Sequence, residues 1–141
     1  MSRIMALDFG RKRTGIAVTD PAGIIATGLT TVSSETIFQY LDQYMQKETI
    51  STIVLGQAKQ MNNSPSESMQ YIEPFFKKLT AKYANINVVY FDERFTSKMA
   101  FQAMIDGGMK QKDRRNKEMI DQVSATILLQ SYMEYLTYSK K

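Results

Sequence analysis

Short apolar runs separated by turn residues dominate the first third of the chain. The runs at residues 4–8 and 15–20 have the length and composition of buried strands. After the second run, Pro21 and Gly23 stand where a type I turn prefers them, so a third strand at about 24–32 should return as a hairpin. The sequence therefore predicts a three-strand meander at the start of the fold.

A helical pattern follows the meander. Apolar residues recur every four positions at Ile37, Leu41 and Met45, which places them on one face of a helix. Ser33 or Ser34 should cap the start of that helix with its side-chain hydroxyl. The apolar face predicts packing of this helix against the sheet.

From residue 50 onward, strands and helices alternate. Buried strands are predicted at 50–56 and 86–91, with a helix between them that contains Pro74 and should be kinked or divided there. A short helix at about 96–106 and a long one at about 117–138 complete the chain. A meander followed by alternating helices and strands predicts an α/β fold with a mixed five-stranded sheet flanked by helices.

The composition narrows the chemistry that this chain can perform. Its 141 residues suit one domain, residues 1–141, and they include neither histidine nor cysteine. Serine–histidine triads, cysteine nucleophiles and zinc sites built on imidazole or thiolate are therefore excluded. Hydrolysis would have to rely on carboxylates, lysine, tyrosine, or a hard metal ion held by oxygen.

The sequence shows no sign of membrane insertion or secretion. No apolar run approaches the roughly 20 residues that a membrane helix needs, and no cleavage site follows the first apolar run. We therefore expect no membrane contact and a cytoplasmic location, with which the absence of cysteine is compatible. The net charge of +4 is only weak support for a nucleic-acid partner.

Three acidic residues stand where the predicted sheet would gather them. Asp8 and Glu93 each end an apolar strand, and Asp121 lies on the packing face of the last helix. They could converge at the carboxyl edge of the sheet, where α/β proteins place their sites. Oxygen ligands without histidine suit Mg²⁺ or Mn²⁺, and two such ions would activate water and stabilise the leaving oxygen of a phosphodiester. The structural alternative is that each acid only caps a turn, starts a helix or pairs with a lysine.

Basic residues flank the three candidate acids. They are Arg11, Lys12 and Arg13 after the first acid, Arg94 directly after the second, and Lys117 shortly before the third. A phosphodiester substrate would require such groups, because metal ions would hold the cleaved phosphate while lysine and arginine hold its neighbours. The alternative is that these are solvated basic loops without a ligand. We expect the five residues to bind nucleic acid.

Three motifs together resemble the YqgF family. They are Asp8-Phe-Gly-Arg-Lys-Arg-Thr-Gly-Ile-Ala-Val18, Asp92-Glu-Arg-Phe-Thr-Ser97 and Lys117-x-x-x-Asp-x-x-x-Ala-Thr-x-x-Leu129. Each motif alone is weak evidence for membership of the family, but the three motifs in this order within 141 residues are specific to it. The chain departs from the family at Gln57 and Ala58, where leucine and proline are usual, and at Ser124, where alanine is common.

The resemblance implies a ribonuclease H-like fold in which Asp8, Glu93 and Asp121 are the metal ligands and catalytic residues. It also implies phosphodiester hydrolysis in the cytoplasm and a role in ribosomal RNA maturation. The leading expectation is therefore a two-metal-ion nuclease that acts on structured RNA and processes the 5′ end of pre-16S ribosomal RNA, in contact with ribosomal precursor particles. Two alternatives remain: a resolvase of branched DNA (Holliday junctions), which would use the same acids, and a non-catalytic RNA-binding factor in ribosome assembly.

Overall fold

Five strands and three helices make up the part of the chain that the structure describes. The computed structural model describes residues 2–57, 69–92 and 117–139, without the side chains of residues 57, 69, 92, 117–122, 138 and 139. The strands are β1 (Arg3–Phe9), β2 (Arg13–Thr19), β3 (Ala26–Ser33), β4 (Ile50–Gln57) and β5 (Asn87–Asp92). The helices are α1 (Ile37–Lys47), entered through a 3₁₀ turn at Ser34–Thr36, α2 (Met69–Lys82) and α3 (Lys117–Ser139). The predicted helix at 96–106 lies outside the described residues. Within them, no helix combines the length and the apolar character that crossing a membrane requires.

The strands form one mixed sheet in the order β3-β2-β1-β4-β5. β2 runs antiparallel to β1 and to β3, whereas β4 is parallel to both β1 and β5. Antiparallel neighbours can be joined by short turns, but a parallel neighbour needs a long crossover to return the chain to the same edge. The predicted meander and mixed sheet are thus confirmed, and the strand order is that of a ribonuclease H-like fold with β1 at its centre.

Helices cover both faces of this sheet, so the central strand is buried on both sides. Successive residues of β1 point to opposite faces. Met5 and Leu7 pack with α1 and α2, whereas Ala6 packs with α3, and all three are fully buried. The predicted apolar face of α1 is confirmed, because Ile37 and Leu41 are buried against the same side as Leu7.

One aspartate holds the turn between β2 and β3. Asp20 Oδ1 accepts hydrogen bonds from the backbone N–H groups of Ile24, at 2.7 Å, and Ile25, at 2.8 Å. The Gly23 N–H donates to the Asp20 carbonyl at 2.9 Å, and Gly23 adopts a φ of 71°. The two backbone donors, first that of Ile25, lower the pKa of the Asp20 carboxyl because they stabilise its charged form. The predicted hairpin is therefore confirmed.

The predicted serine cap of α1 is wrong. Ser33 makes no side-chain capping bond at the 3₁₀ turn that leads into the helix. The Ser34 hydroxyl donates instead to the Gly10 carbonyl at 2.6 Å and lies 2.8 Å from Thr14 Oγ1. Thr14 is fully buried, and a buried hydroxyl needs a hydrogen-bond partner more than an exposed helix start needs a cap.

Pro74 lies inside α2 without dividing it, so of the predicted kink or division the division is wrong, and the kink stays a prediction. The helix runs continuously from Met69 to Lys82. A proline at this position removes the hydrogen bond to the carbonyl of Gln70, four residues earlier. Both residues are exposed, so water can satisfy that carbonyl, while Ile72 and Phe75 anchor the helix in the core.

Removal of the Ser34 hydroxyl should destabilise the protein. Ser34→Ala would leave the Gly10 carbonyl and the buried Thr14 hydroxyl each one partner short, at a cost of about 1–3 kcal/mol in the free energy of unfolding. Ser33→Ala is the matched control, because Ser33 is exposed and makes no capping bond. Urea unfolding compares the two variants, and equal losses would contradict the role assigned to Ser34.

Candidate active site

Asp8 lies near the end of the central strand, on the face that α3 covers. Its neighbour Phe9 packs on the opposite face, where its ring stacks on Phe75 with the ring centroids 3.9 Å apart. Two positions earlier, Ala6 packs with α3, so the alternation of the strand directs Asp8 to the α3 side. Asp8 is half-buried, and a carboxylate at this depth loses solvation that hydrogen-bond donors or a cation must replace.

Glycines flank Asp8 on both neighbouring strands. Gly15 of β2 is its partner across the antiparallel pair. On β4, Gly56 follows Leu55, the partner of Leu7, and so continues the same row on the other side. Both glycines are buried. Because neither has a side chain, the row leaves lateral room around the Asp8 carboxylate on the α3 face, which a ligand could occupy.

The direction of α3 brings its first turns toward Asp8. Near the start of β1, Ile4 lines a cavity together with residues from the second half of the helix, among them Gln130, Met133 and Thr137. Ala125, earlier in the helix, is fully buried in the same cluster as Ala6. The helix therefore runs against the direction of β1, and its beginning is directed toward the strand end that carries Asp8.

The remaining predicted residues are only partly covered by the structure. Asp121 belongs to α3, one helical turn before Ala125, and its side chain lies outside the described part of the protein. Lys117 is the first residue of α3, and the same holds for its side chain. Glu93 and Arg94 directly follow β5 in the sequence and lie outside the described residues. Their predicted roles stay predictions.

Hydrogen bonds fix the turn that follows Asp8, here called the basic turn (residues 10–13). The Gly10 N–H donates to the Arg13 carbonyl at 2.9 Å, and the Ser34 N–H donates to the Lys12 carbonyl at 2.9 Å. A Cβ atom at Gly10 would stand 2.6 Å from the Arg13 carbonyl oxygen, so this close approach requires glycine. The basic turn is thus held in one shape beside the start of α1.

The basic turn presents two of its three charged residues at the surface. Arg11 and Lys12 are exposed, whereas Arg13, the first residue of β2, is half-buried. The Arg11 guanidinium lies over the ring of Tyr71 in α2, 5.6 Å from the ring centroid. This cation–π contact orients Arg11 without neutralising its charge. The structure therefore exposes two of the predicted nucleic-acid ligands on the turn that follows the strand of Asp8.

Oxygen atoms are the metal ligands that this edge of the sheet can offer. Among the described side chains, no three acidic residues lie together as a metal site, and Asp8 is the described member of the predicted set. The chain as a whole has neither imidazole nor thiolate groups. A metal ion held here would therefore be one that prefers oxygen, such as Mg²⁺ or Mn²⁺.

Comparison with known proteins identifies the family. The model of the RuvX family, described as Holliday junction resolvase, matches residues 2–135, which is nearly the whole chain. The chain belongs to the RuvX family. RuvX and YqgF are two names of one family, so the resemblance drawn from the three motifs is confirmed.

Relatives of this RuvX chain match it over almost their full length. A protein of Phocaeicola vulgatus, named "Putative pre-16S rRNA nuclease", is 53% identical over 138 residues, which cover 98% of this chain and 99% of the relative. Relatives with the same name from Bacteroides fragilis and Flavobacterium psychrophilum are each 51% identical, over 134 and 133 residues. They cover 95% and 94% of this chain, and 97% of each relative. The solved Fowlpox virus resolvase, in complex with Holliday junction DNA, is 20% identical with a TM-score of 0.49, covering 94% of this chain and 99% of that one.

Sequence reasoning missed three residues that shape this RuvX site. Gly56 stands beside Asp8 only because β4 pairs with β1 in this register. Ser34 reaches the Gly10 carbonyl from 24 residues away. The Tyr71 ring in α2 lies under the guanidinium of Arg11 in the basic turn, far away in the sequence. No local pattern signals any of these contacts, whereas the glycine on the other side of Asp8 is part of the first motif.

Alanine at Gly10 should destabilise the protein more than alanine at Gly23. Gly23→Ala enters open space, so its cost is the left-handed backbone alone, about 1–2 kcal/mol in the free energy of unfolding. Gly10→Ala must also move a hydrogen-bonded backbone carbonyl, because the Cβ atom would overlap it. Urea unfolding of both variants tests this prediction. An equal or smaller loss in the free energy of unfolding for Gly10→Ala would show that the Arg13 carbonyl moves aside at little cost.

Proposed function

We propose that this chain is a nuclease that hydrolyses phosphodiester bonds with Mg²⁺ or Mn²⁺ held by Asp8, Glu93 and Asp121. The position of Asp8 carries the proposal. It is a half-buried carboxylate at the end of the central strand, flanked by Gly15 and Gly56 and followed by a rigid basic turn. A purely structural aspartate gains nothing from lateral room, whereas a bound ion and phosphate need it.

The chemistry of the donor set fits such ions. Hard divalent cations prefer carboxylate oxygen, and the chain offers no histidine or cysteine in competition. When bound, the ions would lower the pKa of the attacking water and stabilise the leaving oxygen. The carboxylate of Asp8 would bind from the central strand, with those of Glu93 and Asp121 completing the set. Carboxylates brought together repel one another, so the protein alone would be strained there.

The basic residues would bind the substrate rather than react with it. Arg11 and Lys12 are exposed on a turn that three hydrogen bonds already hold in shape. Little conformational entropy is lost when such a turn binds a phosphate, which favours affinity. We propose that this phosphate-binding surface continues along the bound nucleic-acid strand through Arg13, Arg94 and Lys117.

For the substrate, we propose the 5′ end of pre-16S ribosomal RNA, met in ribosomal precursor particles in the cytoplasm. The names of the relatives at 53% and 51% identity support this choice. A second candidate is branched DNA, because the matching family model is described as a Holliday junction resolvase. The same acids would serve both reactions, so these two functions differ in the substrate and not in the chemistry.

We expect Mg²⁺-dependent cleavage of a pre-16S ribosomal RNA fragment at least about ten-fold faster than cleavage of a four-way DNA junction at equal concentration. Rates are measured side by side in Mg²⁺, Mn²⁺ and EDTA, because only a metal-dependent reaction stops in EDTA. A reversed preference would make the resolvase the correct function.

Asp8→Asn should abolish cleavage without unfolding the protein. The amide binds divalent ions poorly, and removal of one negative charge relieves repulsion in the metal-free state. Wild type should melt several degrees higher in Mg²⁺ or Mn²⁺ than in EDTA, by linkage, and the variant should lose most of this shift. Ca²⁺ should raise the melting temperature of wild type while supporting little cleavage.

Asp20→Asn is the matched control for this variant. Asparagine can still accept the hydrogen bonds of Ile24 and Ile25 through its side-chain oxygen, at the opposite end of β2 from the partner of Asp8. Asp20→Asn should therefore retain both cleavage and the metal shift. A wild-type protein that binds RNA but melts alike in all four solutions would be a non-catalytic assembly factor, and the nuclease proposal would fail.

A further inference from the structure

A groove opens on the other side of the strand end that carries Asp8. This α1–α2 groove lies between those two helices and has a volume of about 470 Å³, within the roughly 300–1,000 Å³ of small-molecule sites. Its floor is aromatic, because Phe9 stacks on Phe75 and Phe38 lies against Phe75 with ring centroids 5.4 Å apart. Since Phe9 directly follows Asp8, the groove and the candidate metal site occupy opposite faces of one strand end.

The rim of the α1–α2 groove carries a net positive charge. Tyr71, Pro74 and Lys78 line it from α2, Arg11 from the basic turn and Glu35 from the 3₁₀ turn before α1. Among the lining residues that the structure describes, the two cations are exposed and stand against one carboxylate, that of Glu35. The Arg11 guanidinium lies over the Tyr71 ring, so a group that can bind phosphate is in contact with an aromatic ring at this rim.

An aromatic floor with a cationic rim is complementary to a nucleotide. A base is flat and polarisable and stacks on aromatic rings whatever its identity, and the phosphate attached to it needs positive charge. An apolar helix from a partner protein would fit the floor, but it would cover Arg11 and Lys78 without pairing them, which is costly. An acidic peptide would match the charge and leave the ring faces without a flat partner. The nucleotide uses both features of the groove.

We propose that the α1–α2 groove binds one unpaired base of the nucleic-acid substrate, stacked on Tyr71 in place of the exposed Arg11 guanidinium, which together with Lys78 would hold the adjoining phosphates. The proposal rests on the proposed nuclease function and narrows its substrate class. A base in a duplex is stacked and paired, so it cannot enter the groove. The bound nucleic-acid strand would cross the basic turn from the groove to the side of the sheet that carries Asp8. The cleaved bond would therefore lie close to single-stranded nucleotides.

Binding measurements with labelled RNA test this proposal. The probes are a blunt RNA duplex, the same duplex with a single-stranded tail at either end, and tailed duplexes with one abasic residue moved along the tail, all in Ca²⁺ to prevent cleavage. Wild type should bind one tailed duplex about ten-fold or more tighter than the blunt one, and one abasic position should remove most of that gain. In Tyr71→Ala that abasic residue should cause no further loss, while Tyr71→Phe should restore the wild-type response.

Two adjacent lysines provide the matched charge comparison. Lys77 and Lys78 are both exposed on α2, and of the two Lys78 lines the groove. Lys78→Gln should weaken binding of the tailed duplex and reduce the salt slope by about one, whereas Lys77→Gln should change neither. If Tyr71→Ala does not fold, the wild-type abasic profile and this lysine pair still decide the question.

The possible outcomes separate this inference from the function on which it rests. Equal binding of blunt and tailed duplexes by wild type would overturn the groove proposal and leave the nuclease standing. Abasic sensitivity that persists unchanged in folded Tyr71→Ala, or equal effects of the two lysine variants, would do the same. If wild type binds none of the RNA probes, and the four-way junction no better, the proposed function fails and the groove proposal fails with it.

Discussion

The register of β1 links the stability of this fold to its candidate chemistry. Met5 and Leu7 enter the core beneath α1 and α2, and the alternation that buries them directs Asp8 to the α3 side. A slip of one residue would turn Leu7 toward Gly15 and Gly56 and would force the carboxylate into the apolar core, at a large cost in solvation. The position of Asp8 is therefore enforced by the burial of its apolar neighbours rather than by any local preference of its own.

The same strand end is stiffened by its connection to α1. Ser34 makes this connection with two hydrogen bonds. Its backbone N–H donates to the Lys12 carbonyl, and its hydroxyl donates to the Gly10 carbonyl. The 3₁₀ turn before α1 and the basic turn therefore hold each other, in addition to the hydrogen bond from the Gly10 N–H to the Arg13 carbonyl within the basic turn. A turn held in this way would lose little conformational entropy if its charges bind a phosphate as proposed.

The two faces of the sheet offer different chemistry at this edge. On the α3 face, Gly15 and Gly56 have no side chains and leave room beside Asp8 for a polar site. Large aromatic side chains fill the other face, where Phe9 and Phe75 stack beneath the α1–α2 groove. β1 contributes to both surfaces. A nucleic-acid strand that bends over the basic turn could therefore contact the polar surface and the aromatic surface at the same end of β1.

Much of this protein follows from patterns along the chain. Short apolar runs between turn residues predict the five strands, a four-residue apolar spacing predicts the first helix, and three motifs together identify the family. Those signals are local, because burial of one face of one element imposes its own period on the sequence. Asp8 was identifiable for the same reason, as an acid that ends an apolar run. The roles of Asp8, Glu93 and Asp121 as metal ligands all remain predictions drawn from that kind of signal.

Only the tertiary structure decided which side chains meet. Gly56 lies beside Asp8 because of the pairing of β4 with β1. The Ser34 hydroxyl donates to the Gly10 carbonyl instead of capping a helix, and the Tyr71 ring lies under the Arg11 guanidinium. The tertiary structure also kept α2 whole at Pro74, because core contacts outweigh one lost hydrogen bond. By itself, the sequence determined the periods of burial, the family and the available chemistry. Strand register and partner choice depend instead on the packing of the whole chain, where distant residues compete for the same contacts.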